Sequence, residues 1–365
     1  MPQGRIFHDN LVQASGTVLS ASSEDPSFPA VAILDQLRSE TWRSKPGYNV
    51  VAGRNDKLDL TEATTGDAVA TLTPGNYATP AQYAAEVETQ INAAATDNTY
   101  TVTYDAGTKL FTIARATGSD AFGLEWSTGA SAATSCGPDL GFDVSADDTG
   151  ATFYAGDAAS YHSREWLKVD LGSAMAVRAG IVIDHNAGSG GTFTLRGNAT
   201  DAWDAPSFSQ ALAGDAEIRI DVFSADESYH YWELLIDDVA NPDGFSEVGI
   251  WFAGPGVFPT HSYTHDLGLN PFELSSIDAA EGGAHYQDQK PRRDVWSVSW
   301  TDEEEADKDV LEAWAEATPV GTCFFFSFTA TETDTRYVFR PSAMAFGLTA
   351  DRYWNISQAL AEALG

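Results

Sequence analysis

Residues Pro291–Phe328 read PRRDVWSVSWTDEEEADKDVLEAWAEATPVGTCFFFSF and change periodicity twice. Val295, Ser297 and Ser299 alternate with Trp296, Val298 and Trp300, the period of two of a strand with unlike faces. Thr301 predicts an N-cap, and Glu304 three residues on completes a capping box. Asp302, Glu303 and Glu304 place negative charge where the helix dipole favours it. Ala306, Val310, Leu311 and Trp314 recur at helical spacing and predict one apolar stripe. Gly321 ends the connection, and CFFFSF opens a second, aromatic strand. Such aromatic rows need surfaces to bury against. We expect part of that surface to come from other copies of the chain, through Arg292, Arg293, Trp296, Trp300, Trp314, Phe324 and Phe326. The arginine pair suits carboxylates of a neighbouring subunit, such as those at 302–309.

Outward from this stretch, 365 residues suffice for two or three domains with their own cores. Lys and Arg number 20 against 53 Asp and Glu, a net charge of −33. That balance opposes binding DNA by neutralising its phosphates and docking on anionic membranes, so no sequence-specific nucleic acid partner and no membrane insertion are expected. No apolar run approaches the roughly 20 residues that span a bilayer, and MPQGRIFHDN lacks the apolar core of a signal peptide. Cys136 and Cys323 form neither a disulfide framework nor a metal knuckle; each reads as a small buried hydrophobe.

Residues 54–156 form a unit of their own. Thr79, Pro80 and Gln82 predict a capped helix with Tyr83, Val87 and Ile91 as its buried stripe. TYTVTYDAGTKLFTIAR predicts a β-hairpin turning at Asp105-Ala106-Gly107. Four basic residues there (Arg54, Lys57, Lys109, Arg115) face fourteen Asp and Glu. Residues 161–254 return to short strands with turn residues between them, the rhythm of a sandwich or barrel. At the C-terminus, Ile356, Leu360 and Leu364 recur every four residues in an amphipathic segment.

Two resemblances extend this reading. SASSEDPSFPAVAILD (20–35) followed by Trp42, WLKVDLG (166–172) followed by VRAGIVIDHN (177–186), and YHYWELLIDD (229–238) followed by SEVGIWFAG (246–254) resemble the core strands of discoidin-type, galactose-binding-like jelly rolls. The unit at 54–156 then interrupts that sandwich and is expected to emerge at one end of it. DVANPDGFSEVGIWFAGPGVF (238–258) with EGGAHYQDQK (281–290) and the opening stretch resembles minor tail proteins of long-tailed bacteriophages. There an Arg-containing loop leads into a Trp-rich strand, an acidic helix and an aromatic strand, and several members form rings at the tail tip.

Candidate chemistry is sparse. In DAWDAP, Trp203 between Asp201 and Asp204 suits a sugar ring, or Ca²⁺ on the carboxylates; the alternative is a Trp folded back on the sandwich edge. His185 and Asn186 at a strand end are ambiguous in the same way. His261 and His265 are four apart, but Pro259 and Gly268 flank them and no metalloprotease Glu follows, so they read as loop histidines. Asp237 with Asp238, or Asp201 with Asp204, are carboxylate pairs that this composition supplies freely. Gly188-Ser189-Gly190-Gly191 is a turn without the Lys and helix of a phosphate loop.

The sequence therefore predicts a mainly β protein: a discoidin-like β-sandwich (1–53 plus 157–255), a small inserted α+β module (54–156), and a C-terminal tail-ring-like β domain with one packed helix (256–365). The resemblances imply a non-catalytic virion protein of a phage tail tip. It would assemble as a homo-oligomeric ring beside tail tube, tape measure and hub proteins, with no cofactor, catalytic residue or metal. The alternatives are a carbohydrate-binding adhesion module for host-surface glycan and a glycan-degrading enzyme.

Overall fold

The computed structural model describes residues 4–35, 38, 40–259, 263–269, 272–273, 276–279, 285–288, 292–329, 334–349 and 353–363. It is mainly β, with a sandwich at its centre. Two long strands, Glu165–His185 and Ile218–Asp237, pair antiparallel throughout, with breaks at Asp170/Met175 and Val177/Ala179. Residues 172–176 at the break are exposed, and Gly172 turns the chain there with φ 73°. The first part of Glu165–His185 pairs with Val18–Ala21 and its last part with Glu247–Gly254. Leu167 and Val169 from one part then meet Val182 and Trp251 across a single core that also takes Trp42, Phe193, Trp232 and Leu234.

The second layer of this sandwich is covered on both faces. Val182, Val248 and Trp251 point into the sandwich. Ile181, Ile183, Ile250 and Phe252 point away from it, onto Phe7, Phe325 and Tyr337. Burial on both faces is why GIVI and VGIWFAG read as continuous apolar runs and not as alternation. Each such side chain contributes about 1.5–3 kcal/mol, so this contact ties the sandwich to the C-terminal sheet.

That sheet runs Arg5–Phe7, Cys323–Ser327, Thr335–Phe339, Trp354–Glu362, Val295–Glu303, Thr264–Leu269, with Ala345–Leu348 on the other half of Trp354–Glu362. CFFFSF alternates as a strand must: Phe325 faces the sandwich, while Phe324 and Phe326 face the helix Glu305–Ala317. The first strand comes from the N-terminus, since Ile6 pairs with Phe326. Arg5–Phe7 thus joins the C-terminal sheet, not the sandwich in which residues 1–53 were expected.

The inserted module departs after Tyr48–Val50 and returns near Ser160. Its helix Pro80–Ala94 has the full capping box on Thr79 and Gln82, and buries Tyr83, Val87 and Ile91 as the spacing requires. The hairpin pairs Thr99–Asp105 with Leu110–Thr117, and its turn is held by Gly107 N donating to Asp105 Oδ1 at 2.6 Å. Tyr48, from the stem, stacks on Tyr83 at 4.5 Å between ring centres and so belongs to the module's core.

Two expectations for the opening stretch need correction. Strand Val295–Glu303 runs on past Thr301, with Asp302 at φ 59° marking a bulge, so the helix begins at Glu305 and Glu304 is its N-cap without a side-chain hydrogen bond. The helix is rotated: Asp307, Leu311 and Trp314 are buried, whereas Ala306 and Val310 are exposed. The amphipathic C-terminal segment is the strand Trp354–Glu362. A spacing of four is also twice two, and the buried Gln358 between Ile356 and Leu360 hides the alternation.

Candidate functional site

Strand register assembles a site on the outer face of the sandwich's first layer. Lys168, Glu233 and Arg196 stand opposite one another across three strands. Leu167, Leu234 and Leu195 beside them face the core, so this charged row faces outward, and Trp166 and Leu235 follow in the next row. Outward charge on a sheet is ordinary; here the row is covered. Beyond Val50 the chain makes a tight turn, pinned by Val51 N donating to Asn55 Oδ1 at 2.8 Å and Gly53 N to Asp56 Oδ1 at 3.0 Å. Gly53, at φ 69°, gives the turn its left-handed step. The turn delivers Arg54 onto the sheet.

Glu233 is wholly buried and holds two arginines. Arg54 Nη2 bonds one carboxylate oxygen, and Arg196 bonds the other through Nη2 and through Nε at 2.9 Å. Burial pushes the Glu233 carboxyl up against the pull of both guanidiniums, and the same burial lowers Arg196. The guanidinium planes lie near indoles: Arg54 is 5.0 Å from the Trp166 ring and 5.8 Å from Trp203, and Arg196 is 5.7 Å from Trp203. At these distances each guanidinium is within reach of cation–π attraction.

From the module side, buried Asp139 accepts from Arg164 N at 2.9 Å and Asn55 Nδ2 at 2.6 Å, with Arg164 Nε at 3.4 Å. Between these walls lies a cleft lined by Ser22, Asn49, Asn55, Arg164, Trp166 and Trp203, with Arg54, Arg196 and Asp204. It is therefore formed jointly by sandwich and insertion.

Behind the cleft sits Glu165, buried and, among the described residues, without a cationic partner. It accepts from Ser22 and Ser23 hydroxyls, from Asn49 Nδ2 at 2.6 Å and from Ser163 Oγ at 3.2 Å. Burial drives its carboxyl up to about 7 against those hydrogen bonds.

The predicted residues fall as follows. Trp203 is 6% exposed and folds back over the sheet, its indole N–H donating to Asp201 Oδ1 at 2.8 Å. Asp201 also holds Lys168 Nζ at 2.6 Å. Partial burial works against its ionisation, but the bonds from Lys168 and Trp203 outweigh it and keep the carboxyl below the usual range. Trp203 is thus a wall of the cleft rather than an open platform, and Asp204 stays exposed at the rim. His185 accepts from Ala187 N at 3.2 Å and lies against Phe193; burial, then Arg219, lowers it to about 4, so it is neutral. Asn186 bonds Phe245 O and Glu247 N. The Gly188–Gly191 turn closes on Asp238, which accepts from Gly188 N at 2.9 Å; a Cβ at Gly191 would meet that carboxylate at 2.6 Å. Cys136 is buried and Cys323 partly so. His261 lies outside the described residues.

Four of the seven proposed assembly residues are core residues of this chain. Trp300, Trp314, Phe324 and Phe326 are buried among Leu311, Val338, Ile356 and Leu360. Trp296 packs on Phe328. Arg293 lies 4.9 Å over Phe339, and Arg292 pairs with Glu273 in register. The aromatic rows find their partners in the helix and in each other, so they do not need a second copy.

Sequence reasoning missed Arg54, Arg164, Arg196 and Glu233, which lie far apart in the chain. The available signal was a charged residue set inside an apolar strand, Glu233 in YWELLI and Arg196 in FTLRG. The two come together only through strand order.

No protein-family model matches the chain, and no curated protein matches it in sequence. Among solved structures it is similar to chitosan-binding module 1 of a chitosanase/glucanase from Paenibacillus sp. IK-5 (11% identity, 68% of this chain and 100% of that one, TM-score 0.30). It is also similar to a family 32 carbohydrate-binding module of NanJ from C. perfringens, solved with galactose (8%, 68% and 98%, TM-score 0.29). A third similarity is to a fucolectin from striped bass, Morone saxatilis, serum (10%, 55% and 83%, TM-score 0.20).

Proposed function

We propose that this chain is a carbohydrate-recognition protein that binds its glycan in the cleft between sandwich and inserted module, without turning it over. One observation carries this reading: two tryptophans, three arginines and the amides of Asn49 and Asn55 converge on one cleft. Sugar rings present apolar C–H faces and rows of hydroxyls, and an aromatic wall with planar, oriented donors matches both. The surrounding scaffold is rigid, because Glu233 and Asp139 fix the guanidiniums from behind. The test is calorimetric titration of the purified chain with a panel that includes galactose, chitotriose and acidic oligosaccharides. Saturable binding that Trp166→Ala abolishes, with the circular dichroism unchanged, supports the proposal. No binding across the panel contradicts it.

A second reading is assembly into a ring at a phage tail tip, beside tail tube, tape measure and hub proteins. What favours it is the hairpin of Ala345–Leu348 and Trp354–Glu362. Leu348 and Tyr353 are exposed there, and among the described residues Ala345–Leu348 pairs on one side only. An unpaired edge with apolar side chains templates further pairing. The mass of the protein in solution tests it: a ring predicts a discrete multiple of the 39.1 kDa chain, and a monomer at high concentration contradicts it.

A further inference from the structure

We infer that the cleft selects acidic sugars, taking a ring carboxylate of a uronic or sialic acid onto the Arg54–Arg196 pair; this rests on the glycan-binding reading above. Charge is the first argument. The chain holds 20 basic residues against 53 acidic ones, so most of its surface repels anions. Four of those twenty, Arg54, Arg164, Lys168 and Arg196, gather within this one site. Lys168 is neutralised by Asp201 and Arg164 by Asp139. Arg54 and Arg196 share a single carboxylate, that of Glu233. Those three groups together keep one positive charge; Asp204, the remaining carboxylate of the lining, lies exposed at the rim, so inside the cleft a monoanionic ligand can pair with that charge.

Geometry is the second argument. Arg54 and Arg196 are 17% and 15% exposed, so a carboxylate bound there is largely removed from water, where a charge-assisted hydrogen bond is strongest. Arg196 uses Nε and Nη2 on Glu233, and Arg54 uses Nη2. Arg196 Nη1 and Arg54 Nη1 and Nε remain as donors. Glu233 is a positioning residue: it holds both guanidiniums at a fixed separation and cannot itself reach the ligand's anion favourably. Asp204, exposed at the rim, repels a second anionic group but accepts from sugar hydroxyls. That combination favours one carboxylate per ring among hydroxyls over a polyanion such as a sulfated glycan.

The test pairs each acidic sugar with its neutral counterpart: trigalacturonate with its carboxyl-reduced form, and sialyllactose with lactose. Wild-type protein is expected to bind one acidic member at least tenfold more tightly than its counterpart, with an affinity that falls as salt is raised. Arg54→Gln should remove that preference, weakening the acidic member by at least tenfold more than its neutral counterpart. Arg115→Gln, at a module arginine outside the cleft, should leave the preference unchanged and controls for net charge. Equal binding of both members of each pair, or a preference unaltered by Arg54→Gln in a folded protein, overturns the inference and leaves glycan binding standing. Binding of no sugar overturns both. Should Arg54→Gln fail to fold, the salt dependence and acid preference of the wild type decide alone.

Discussion

Glu165 shows how one side chain can report on the whole site. Its carboxyl is buried beside the cleft, with serines and an asparagine as donors and, among the described residues, no cation. With the folded value near 7 and the unfolded one near 4.5, the folded state binds the extra proton between those limits. The stability contributed by this group is therefore fully present below about pH 4.5 and falls as pH rises toward 7, by about 3 kcal/mol. Glu165→Gln keeps the neutral form at every pH. Urea denaturation of the two proteins should give similar stabilities at pH 4.5 and a variant that is more stable by that amount at pH 8. Parallel pH profiles would show that Glu165 is not a buried, unpaired acid. Little of this was visible in the sequence, because Glu165 opens a strand pattern in which any solvated residue would fit. Trp203, by contrast, left two readings open in the sequence, a sugar platform or a Trp folded back on the sandwich edge; the structure has the fold-back, and the seal by Asp201 and Lys168 depends on a register that spacing does not encode.

Elements that carry local signals were read well. The helix Pro80–Ala94 has a cap, a proline and a stripe, each enforced by short-range sterics and hydrogen bonds, and all three hold. The hairpin at Asp105 holds for the same reason. The helix Glu305–Ala317 is legible in the spacing of its apolar residues, but its start and its buried face are set by tertiary pairing. Pairing with Trp354–Glu362 draws Thr301, Asp302 and Glu303 into the sheet, an interaction from fifty residues away that overrides the local capping pattern. The final strand is hard to read for a related reason, since one buried glutamine, Gln358, turns a period of two into an apparent four. Trp300 belongs at this scale. It is fully buried under the helix, so Trp300→Asp should unfold the C-terminal sheet, not simply impair assembly. A loss above about 4 kcal/mol is expected, from an unpaired charge placed in a core, read as collapse of the near-UV circular dichroism. A folded variant of near-normal stability would mean that Trp300 faces outward.

At the scale of the molecule, the mainly β plan with an interrupting α+β module was accessible from rhythm and composition. The docking of the parts was not. The N-terminal strand Arg5–Phe7 crosses to the last sheet, and nothing in RIF distinguishes that destination from the sandwich. Phe7 sits where both meet, edge-on to Phe252 and to Phe258, and is fully buried. Phe7→Ala should cost about 3–5 kcal/mol and lower the melting temperature of sandwich and C-terminal sheet together; a melt in which only one of them shifts would show that they are not coupled there. The cleft is likewise a product of docking, because its donors come from the sandwich and from both stems of the insertion. The most direct measurement follows from the ten tryptophans. Their indole N–H resonances can be followed by NMR during titration with trigalacturonate, sialyllactose, galactose and chitotriose. The account predicts that Trp166 and Trp203 shift saturably with at least one of these sugars, while the core indoles of Trp232, Trp251, Trp300 and Trp314 stay in place. Shifts confined to other tryptophans, or none with any sugar, would contradict it.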